Sequence, residues 1–427
     1  MIETIRNAWR IPELRKKIAF TVMILVVYRF GSAIWVPFIN AEMLQEVFQS
    51  NFADTVFGMF DMMSGGAFSQ ATIFAMSIQP YINASIIMNL LTVGIPALER
   101  MVKEGGEEGR KKIASITRFV TVGLGLLMGW AYTQTLRSYG LIEPDSWFTN
   151  IVIVLTFTAG TAFIMWLGEQ VTEFGIGNGI SIILFASIVS RGPAMISSAY
   201  VGLESGAIQW WQVLVILAFG VLVVAFVVFI TNAERRIPVS YAKRLVGRKM
   251  YGGQSTHLPL KVNMSGVMPI IFAQTFASLP STIGAFMRPA EGSFWYGFLD
   301  AIKPGSWIYS VSFFLMIIAF SYFYSSIQFN PIEVANNLKQ NGGFVPGFRP
   351  GRPTSDFIRK VMNKITLFGA LFLGVIALMP IIMSSTMNVA GLAWGGTSVL
   401  IVVGVALETV KQMESQMLMR HYKGFLE

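Results

Sequence analysis

A helix needs about 20 mostly apolar residues to cross the hydrocarbon core of a bilayer, and this chain carries such runs from end to end. They lie at residues 18–37, 71–91, 113–136, 148–167, 180–196, 213–230, 265–287, 307–329, 365–383 and 392–407, the fifth and tenth being short. Only 13% of the residues are charged and 54% are hydrophobic, whereas about 25% of an average soluble domain is charged. Lipid is therefore the main solvent, and the expected fold is an all-α integral membrane protein of about ten transmembrane helices. The runs divide into halves at 1–201 and 202–427. Because each half would hold an odd number of spans, two pseudo-symmetric halves would have inverted topology, as in many transporters and channels.

The formal charge of +9 could point to nucleic acid, so its distribution decides. Lys and Arg cluster before the first run, between the second and third, after the sixth, after the eighth and at the C-terminal end. Of the 32, only Arg137, Arg191, Arg288 and Lys303 fall in the alternate connections, and Arg29 lies inside the first run. The positive-inside rule then places both termini in the cytoplasm and removes the need for a direct, sequence-specific nucleic-acid partner. Arg15, Lys16 and Lys17 resemble the start of a secretory signal. Arg29 and the runs that follow favour a retained helix instead.

Some segments are not ordinary spans. Residues 55–67, TVFGMFDMMSGGA, are apolar, too short to cross, and carry Asp61. Such a helix at membrane depth must be surrounded by protein or a water-filled cavity; the two readings are a re-entrant plug and an interfacial helix on the outer surface. Pro80, Pro193, Pro269, Pro280 and Pro380 are expected to bend or break their spans. The second and seventh runs also hold Gln79, Asn83, Ser85 and Asn89, and Gln274, Thr275, Ser278, Ser281 and Thr282, which fit either interhelical hydrogen bonding or a wet pathway. Two long basic connections, 231–264 and 330–363, are expected to bind a partner or lipid headgroups; the turn-rich run 342–351 in the second would present Phe348 and Arg349 away from the membrane.

Much chemistry is missing. Without cysteine there is no thiol catalysis or disulfide, and His257 and His421, the only histidines, stand far apart in polar segments. No cofactor or metal is expected, nor an enzyme. Gly175-Ile176-Gly177-Asn178-Gly179 lacks the Lys and Ser/Thr of a phosphate loop and reads as a tight turn between spans. Gly125 and Gly129 read as a helix-packing pair. Ionisable groups within the runs reduce to Arg29 and, near the end, Glu408, with Glu169 and Glu173 at a cytoplasmic helix end. That is poor material for an ion-coupled transporter of small solutes, the alternative reading, and favours a gated passive pathway worked by a partner. A lipid scramblase or scaffold would not need the long basic connections.

Met63-Ser64-Gly65-Gly66-Ala67, Pro80 to Ile87 (PYINASII), Gly175 to Ser181 (GIGNGIS), Tyr241-Ala242-Lys243-Arg244, Leu258 to Asn263 (LPLKVN), Asn336-Asn337-Leu338-Lys339 and Phe344 to Gly351 (FVPGFRPG) resemble, in order, the signature blocks of the SecY family across essentially the whole chain. The resemblance implies a protein-conducting channel of the bacterial cytoplasmic membrane, which translocates unfolded preproteins and releases membrane segments laterally into the phospholipid bilayer. It implies two five-helix halves around an hourglass pore, SecE and SecG as membrane partners, and the SecA ATPase or a ribosome on the cytoplasmic face. Carried onto this chain, it implies a pore constriction at Ile78, Ile82, Ile180, Leu184, Ile271 and Ile401 and a plug at Phe57, Met59, Phe60, Met62, Met63, Gly65 and Gly66. A lateral gate between spans two and seven would hold Asn83, Ile87, Gln274 and Ser278, and docking would involve Arg244, Phe348 and Arg349. Gln79 departs from the apolar residue the family more often has before the proline, and Leu184 from an isoleucine.

Overall fold

Helix boundaries in this chain are set by a few local devices, prolines in first turns and amide or hydroxyl caps, and these decide which apolar runs become continuous spans. The computed structural model describes residues 2–52, 56–206, 209–241, 244–246, 249–251, 255–264, 266–287, 293–302, 306–387 and 395–423. In its first half lie α1 (Ile2–Arg10), α2 (Pro12–Gly31), α3 (Ala41–Val47), α4 (Val56–Ser64), α5 (Gln79–Gly94), α6 (Pro96–Glu104), α7 (Gly106–Ser138), α8 (Trp147–Phe174), α9 (Gly179–Ser190) and α10 (Gly192–Glu204). After α11 (Trp210–Asn232) come four strands, β1 (Glu234–Tyr241), β2 (Arg244–Val246), β3 (Lys249–Tyr251) and β4 (Ser255–Lys261). The chain then forms α12 (Met268–Met287), α13 (Phe294–Ala301), α14 (Trp307–Gln328), α15 (Pro331–Gln340), β5 (Gly343–Phe344), α16 (Arg352–Met387) and α17 (Gly395–Lys423).

Three of the prolines expected to break spans instead begin helices, Pro269 being the second residue of α12. Pro80 sits in the first turn of α5 and Pro193 in that of α10, where the missing N–H has no intrahelical acceptor to lose and the fixed φ suits helix entry. The second span consequently starts at Gln79 rather than at residue 71, and residues 71–78 are turns with left-handed φ at Ala71 (45°) and Ser77 (48°). The Ile73 carbonyl packs where a Cβ on Gly160 of α8 would stand, so the turn segment is threaded closely against that helix. Pro280 does lie inside α12. Asn178, Ser306 and Asn330 accept from first-turn amides of α9, α14 and α15, each cap contributing about 1 kcal/mol.

Six described helices are long and apolar enough to cross a membrane, seven if the sharply bent pair Gln79–Gly94 and Pro96–Val102 is one span. Charge accounts for the shortfall of α2 against the ten runs: Glu13, Arg15, Lys16, Lys17 and Arg29 interrupt its apolar face. The Gly125 and Gly129 pair behaves as read. A Cβ on either would meet Thr158 or Phe157 of α8 at 3.5 Å, so α7 and α8 approach along small residues.

The two long basic connections are not loops. β1 pairs antiparallel with β4 from Glu234 opposite Lys261 to Ser240 opposite Ser255, and with β5 through Ser240–Phe344 and Tyr241–Gly343. Strands from connections about 100 residues apart thus share one sheet, over a small core of Ile237, Val239, Leu260, Leu338, Val345 and Ile358. The alternation in β1, with Ile237 and Val239 buried between exposed neighbours, is ordinary strand periodicity within a basic segment. Read as a connection between spans, it went unnoticed, and the all-α expectation is corrected to a mostly helical bundle with this sheet attached.

Candidate functional site

The largest buried cluster of the first half reaches across into the second. It joins Ile24 and Tyr28 of α2, Met62 and Met63 of α4, Ile78 at the cap of α5 with Ile82 and Ile86, Leu184 of α9, Ile271 and Phe272 of α12, and Ile401 and Val405 of α17. Ile180 and Phe60 pack against it. All six residues expected at the constriction therefore meet in one place, five of them at 6% exposure or less, and so not facing lipid. Local geometry puts them there. The Ile82 amide donates to the Ile78 carbonyl (3.0 Å), so these two stand one turn apart on one face. Asn178 Oδ1 accepts from the Ile180 and Ser181 amides (3.1 and 3.4 Å), fixing the first turn of α9. A Cβ on Gly179 would collide with the Gly168 carbonyl, so only glycine lets α9 start this tightly against α8.

A cavity of about 410 Å³ opens beneath this cluster, with Leu184, Ile271 and Ile401 at its apolar end and Ser181, Lys261, Tyr324, Gln328, Glu408 and Lys411 along its walls. Burial first, then Lys261, holds the Lys411 ammonium below the usual lysine range, against the pull of Glu234 and Glu414. The polar walls come from the end of α14, the middle of α17, the first turn of α9 and the last residue of β4, on the basic side of the molecule.

The other side of the cluster is closed by α4, which packs on α9 and α12. It is an interior helix, with Phe57, Asp61, Met62, Met63 and Ser64 all buried; the side chain of Met59 lies outside the described residues. Asp61 pairs with Arg191 and accepts from the Ser69 amide (2.7 Å). Tyr28 bonds Ser187 Oγ (2.7 Å) and donates to the Ser64 carbonyl (3.4 Å), while Arg29 donates to the Gly65 carbonyl (3.3 Å) and Ser190 Oγ (3.2 Å). Gln79 Nε2 and Ser398 Oγ donate to the sulfurs of Met63 (3.0 Å) and Met62 (3.1 Å). Gly65 (φ 71°) and Gly66 (φ 90°) turn the chain away, and at Gly65 a Cβ would strike Ser187 and Ser190.

The residues expected at a gate between α5 and α12 are less gathered. Gln274 and Ser278 are buried and Ser278 donates to the Thr275 carbonyl (2.8 Å), but Asn83 Nδ2 points to the Met128 sulfur of α7 (3.8 Å) and Ile87 is 39% exposed. Helix α12 meets the first half at α7 and α4, and α5 packs on α6, α7 and α8. The buried carbonyl oxygens of Asn83 and Gln274 accept nothing among the described residues. On the basic side, Phe348 stacks on Phe357 at 4.2 Å rather than standing free, and Arg349, whose carbonyl accepts from Thr354 (2.8 Å), is exposed with no ion pair among the described residues. Arg244 begins β2, and its side chain lies outside the described residues.

The SecY family profile matches residues 72–410. Protein translocase subunit SecY of Streptomyces galbus is 46% identical, with all of both chains covered. The chain belongs to the SecY family. Among solved structures, a SecY whose plug domain is described as stabilising the closed channel and maintaining a membrane seal superposes with a TM-score of 0.64 at 16% identity, covering 97% of each chain. Sec61 from a canine ribosome–channel complex does so with a TM-score of 0.59, also at 16% and 97% of each chain. This SecY-family chain is thus a bacterial multi-pass membrane protein with the fold of these channels.

Sequence reading overlooked the polar seat around α4: Tyr28, Ser187, Ser190, Arg191 and Ser398. One signal was available. Asp61 in an apolar helix demands a cation, and Arg29 and Arg191 are among the few cations off the basic side.

Proposed function

We propose that this chain is the protein-conducting subunit through which unfolded preproteins cross the bacterial cytoplasmic membrane and from which membrane segments leave sideways into the bilayer. The observation that carries this is the aliphatic collar of Ile78, Ile82, Ile180, Leu184, Ile271 and Ile401, capped by α4 and facing a polar-walled cavity. A pathway for polypeptide must pass arbitrary side chains yet stop ions. Aliphatic groups contact any cargo without directional bonds, and a narrow apolar constriction excludes water by dewetting. A solute transporter would instead converge polar groups on this point.

In this reading α4 with the Gly65-Gly66 turn is the plug. The spans are ten: α2, α5, α7, α8 and α9–α10 in the half 1–201, and α11, α12, α14, α16 and α17 in the half 202–427, inverted with respect to each other. A separate buried cluster joining α11, α12, α14, α16 and α17 supports the second half as a unit. The lateral gate runs between α5 and α12, with Asn83, Ile87, Gln274 and Ser278 along it. Both termini and the sheet of β1, β4 and β5 are cytoplasmic, and Arg244, Phe348 and Arg349 lie on the face where SecA or a ribosome docks. SecE and SecG are the membrane partners, and the work comes from the motor or the ribosome, since the chain itself is not an enzyme. Reconstitution with SecE, SecA and ATP tests the reading: a secretory preprotein should become protected from protease inside the vesicles, and uptake of a small solute without such protection would favour the transporter.

A further inference from the structure

Helix α4 is apolar except for one carboxylate. Asp61 is 1% exposed, and both of its oxygens are used, one by Arg191 and the other by the Ser69 amide. Its partner is 31% exposed at the side chain and stands at the junction of α9 and α10, where Pro193 begins the second helix. The helix it caps, α9, carries Leu184 and Ile180 of the collar about two and three turns earlier. At the end of α4, Arg29 donates to the Gly65 carbonyl, where a helix C-terminus carries partial negative charge. Two cations, one from α2 and one capping α9, therefore hold one short helix whose other contacts are apolar, to methionine sulfur, or neutral hydrogen bonds such as Tyr28 to the Ser64 carbonyl.

We propose that the Asp61–Arg191 ion pair is the latch of the plug, and that outward movement of α9 as cargo widens the collar pulls it open. This rests on α4 being the plug. The collar and the latch share one helix, so a displacement at Ile180 and Leu184 is transmitted to Arg191 without any further element. Asp61 cannot follow while α4 is seated, because its other oxygen is tied to the Ser69 amide behind it. Opening exchanges the pair for water, and reclosing restores it.

The unequal burial of the partners makes the test specific. Removing Arg191 leaves a buried carboxylate with no countercharge, whereas removing the charge of Asp61 leaves an arginine that can turn to water. In the cysteine-free full chain, reconstituted with its membrane partners, Ala67→Cys reports plug position, since residue 67 is 1% exposed. Arg191→Gln should raise labelling by an impermeant thiol reagent and resting ion conductance by roughly tenfold or more. Asp61→Asn should raise both less than about threefold, and the Asp61→Asn/Arg191→Gln double variant should fall back to the Asp61→Asn level. Arg191→Lys should stay near the parent. Deletion of residues 57–67 separates the two claims. If the deletion leaks and Arg191→Gln does not, or if the double variant leaks as much as Arg191→Gln, the latch is overturned; if the deletion itself is ion-tight, the plug assignment fails with it.

Discussion

The Gln79 side-chain amide lies 3.0 Å from the Met63 sulfur, tying the first turn of α5 to the helix that closes the collar. Gln79 is 5% exposed, immediately beside Ile78. A polar amide here gains a partner only while α4 is seated. If α4 is the proposed plug, Gln79→Leu should therefore loosen it slightly: a hydrogen bond to sulfur is weak, and about 0.5–1 kcal/mol is a two- to fivefold rise in the open population. Labelling of Ala67→Cys in the Gln79→Leu background measures it, and an unchanged rate would leave Gln79 as packing only.

Orientation is tested by single cysteines. Those at Lys249 and Gly351 should react with an impermeant thiol reagent only from the cytoplasmic side, and those at Asp145 and Gly292 from outside. Reaction of Gly351→Cys in intact cells would reverse the assigned topology.

Arg349 presents a permanently charged, planar guanidinium in a turn between β5 and α16. Arg349→Glu should cut SecA-driven translocation by tenfold or so while leaving expression and SecE association at parental levels. The fold should tolerate it, since the local anchors are the Phe348–Phe357 stack and the Thr354 bond to the Arg349 backbone. Translocation at the parental rate would remove Arg349 from the docking surface.

The collar should behave as an apolar seal. Replacing Ile82, Ile180, Ile271 and Ile401 together with Ser should raise resting conductance in planar bilayers, and deleting residues 57–67 as well should raise it further. A folded, SecE-bound quadruple variant as ion-tight as the parent would place the constriction elsewhere.

How much of this was legible in the sequence follows from the range of each signal. The apolar runs are local, so helices appear at nearly every position expected of them. Their ends moved where a proline has two opposite local meanings: Pro80 inside an apolar run looks like a break, and only its place at a helix start makes it an initiator. The sheet was missed because its two connections are distant in sequence, and β5 contributes only two residues to it. The expectation of a collar at these residues came from family resemblance alone, since an isoleucine facing a pathway is no different in sequence from one facing lipid. What the sequence did not reveal is the seat of α4. It depends on Tyr28, Ser187 and Arg191 arriving from α2 and α9, and such long-range convergence leaves no periodic trace.

The most direct test of the channel itself is where a polypeptide lies in transit. A preprotein arrested midway, with one cysteine in its mature part, should form disulfides with single cysteines placed at Ile82, Leu184, Ile271 and Ile401, and not with one at Phe119, which is 76% exposed on the outer face of α7. Crosslinking at the four collar positions in proportion to translocation is the predicted result. Protected preprotein that never reaches the collar, or that crosslinks equally to Phe119, would contradict a pathway through the centre of this chain.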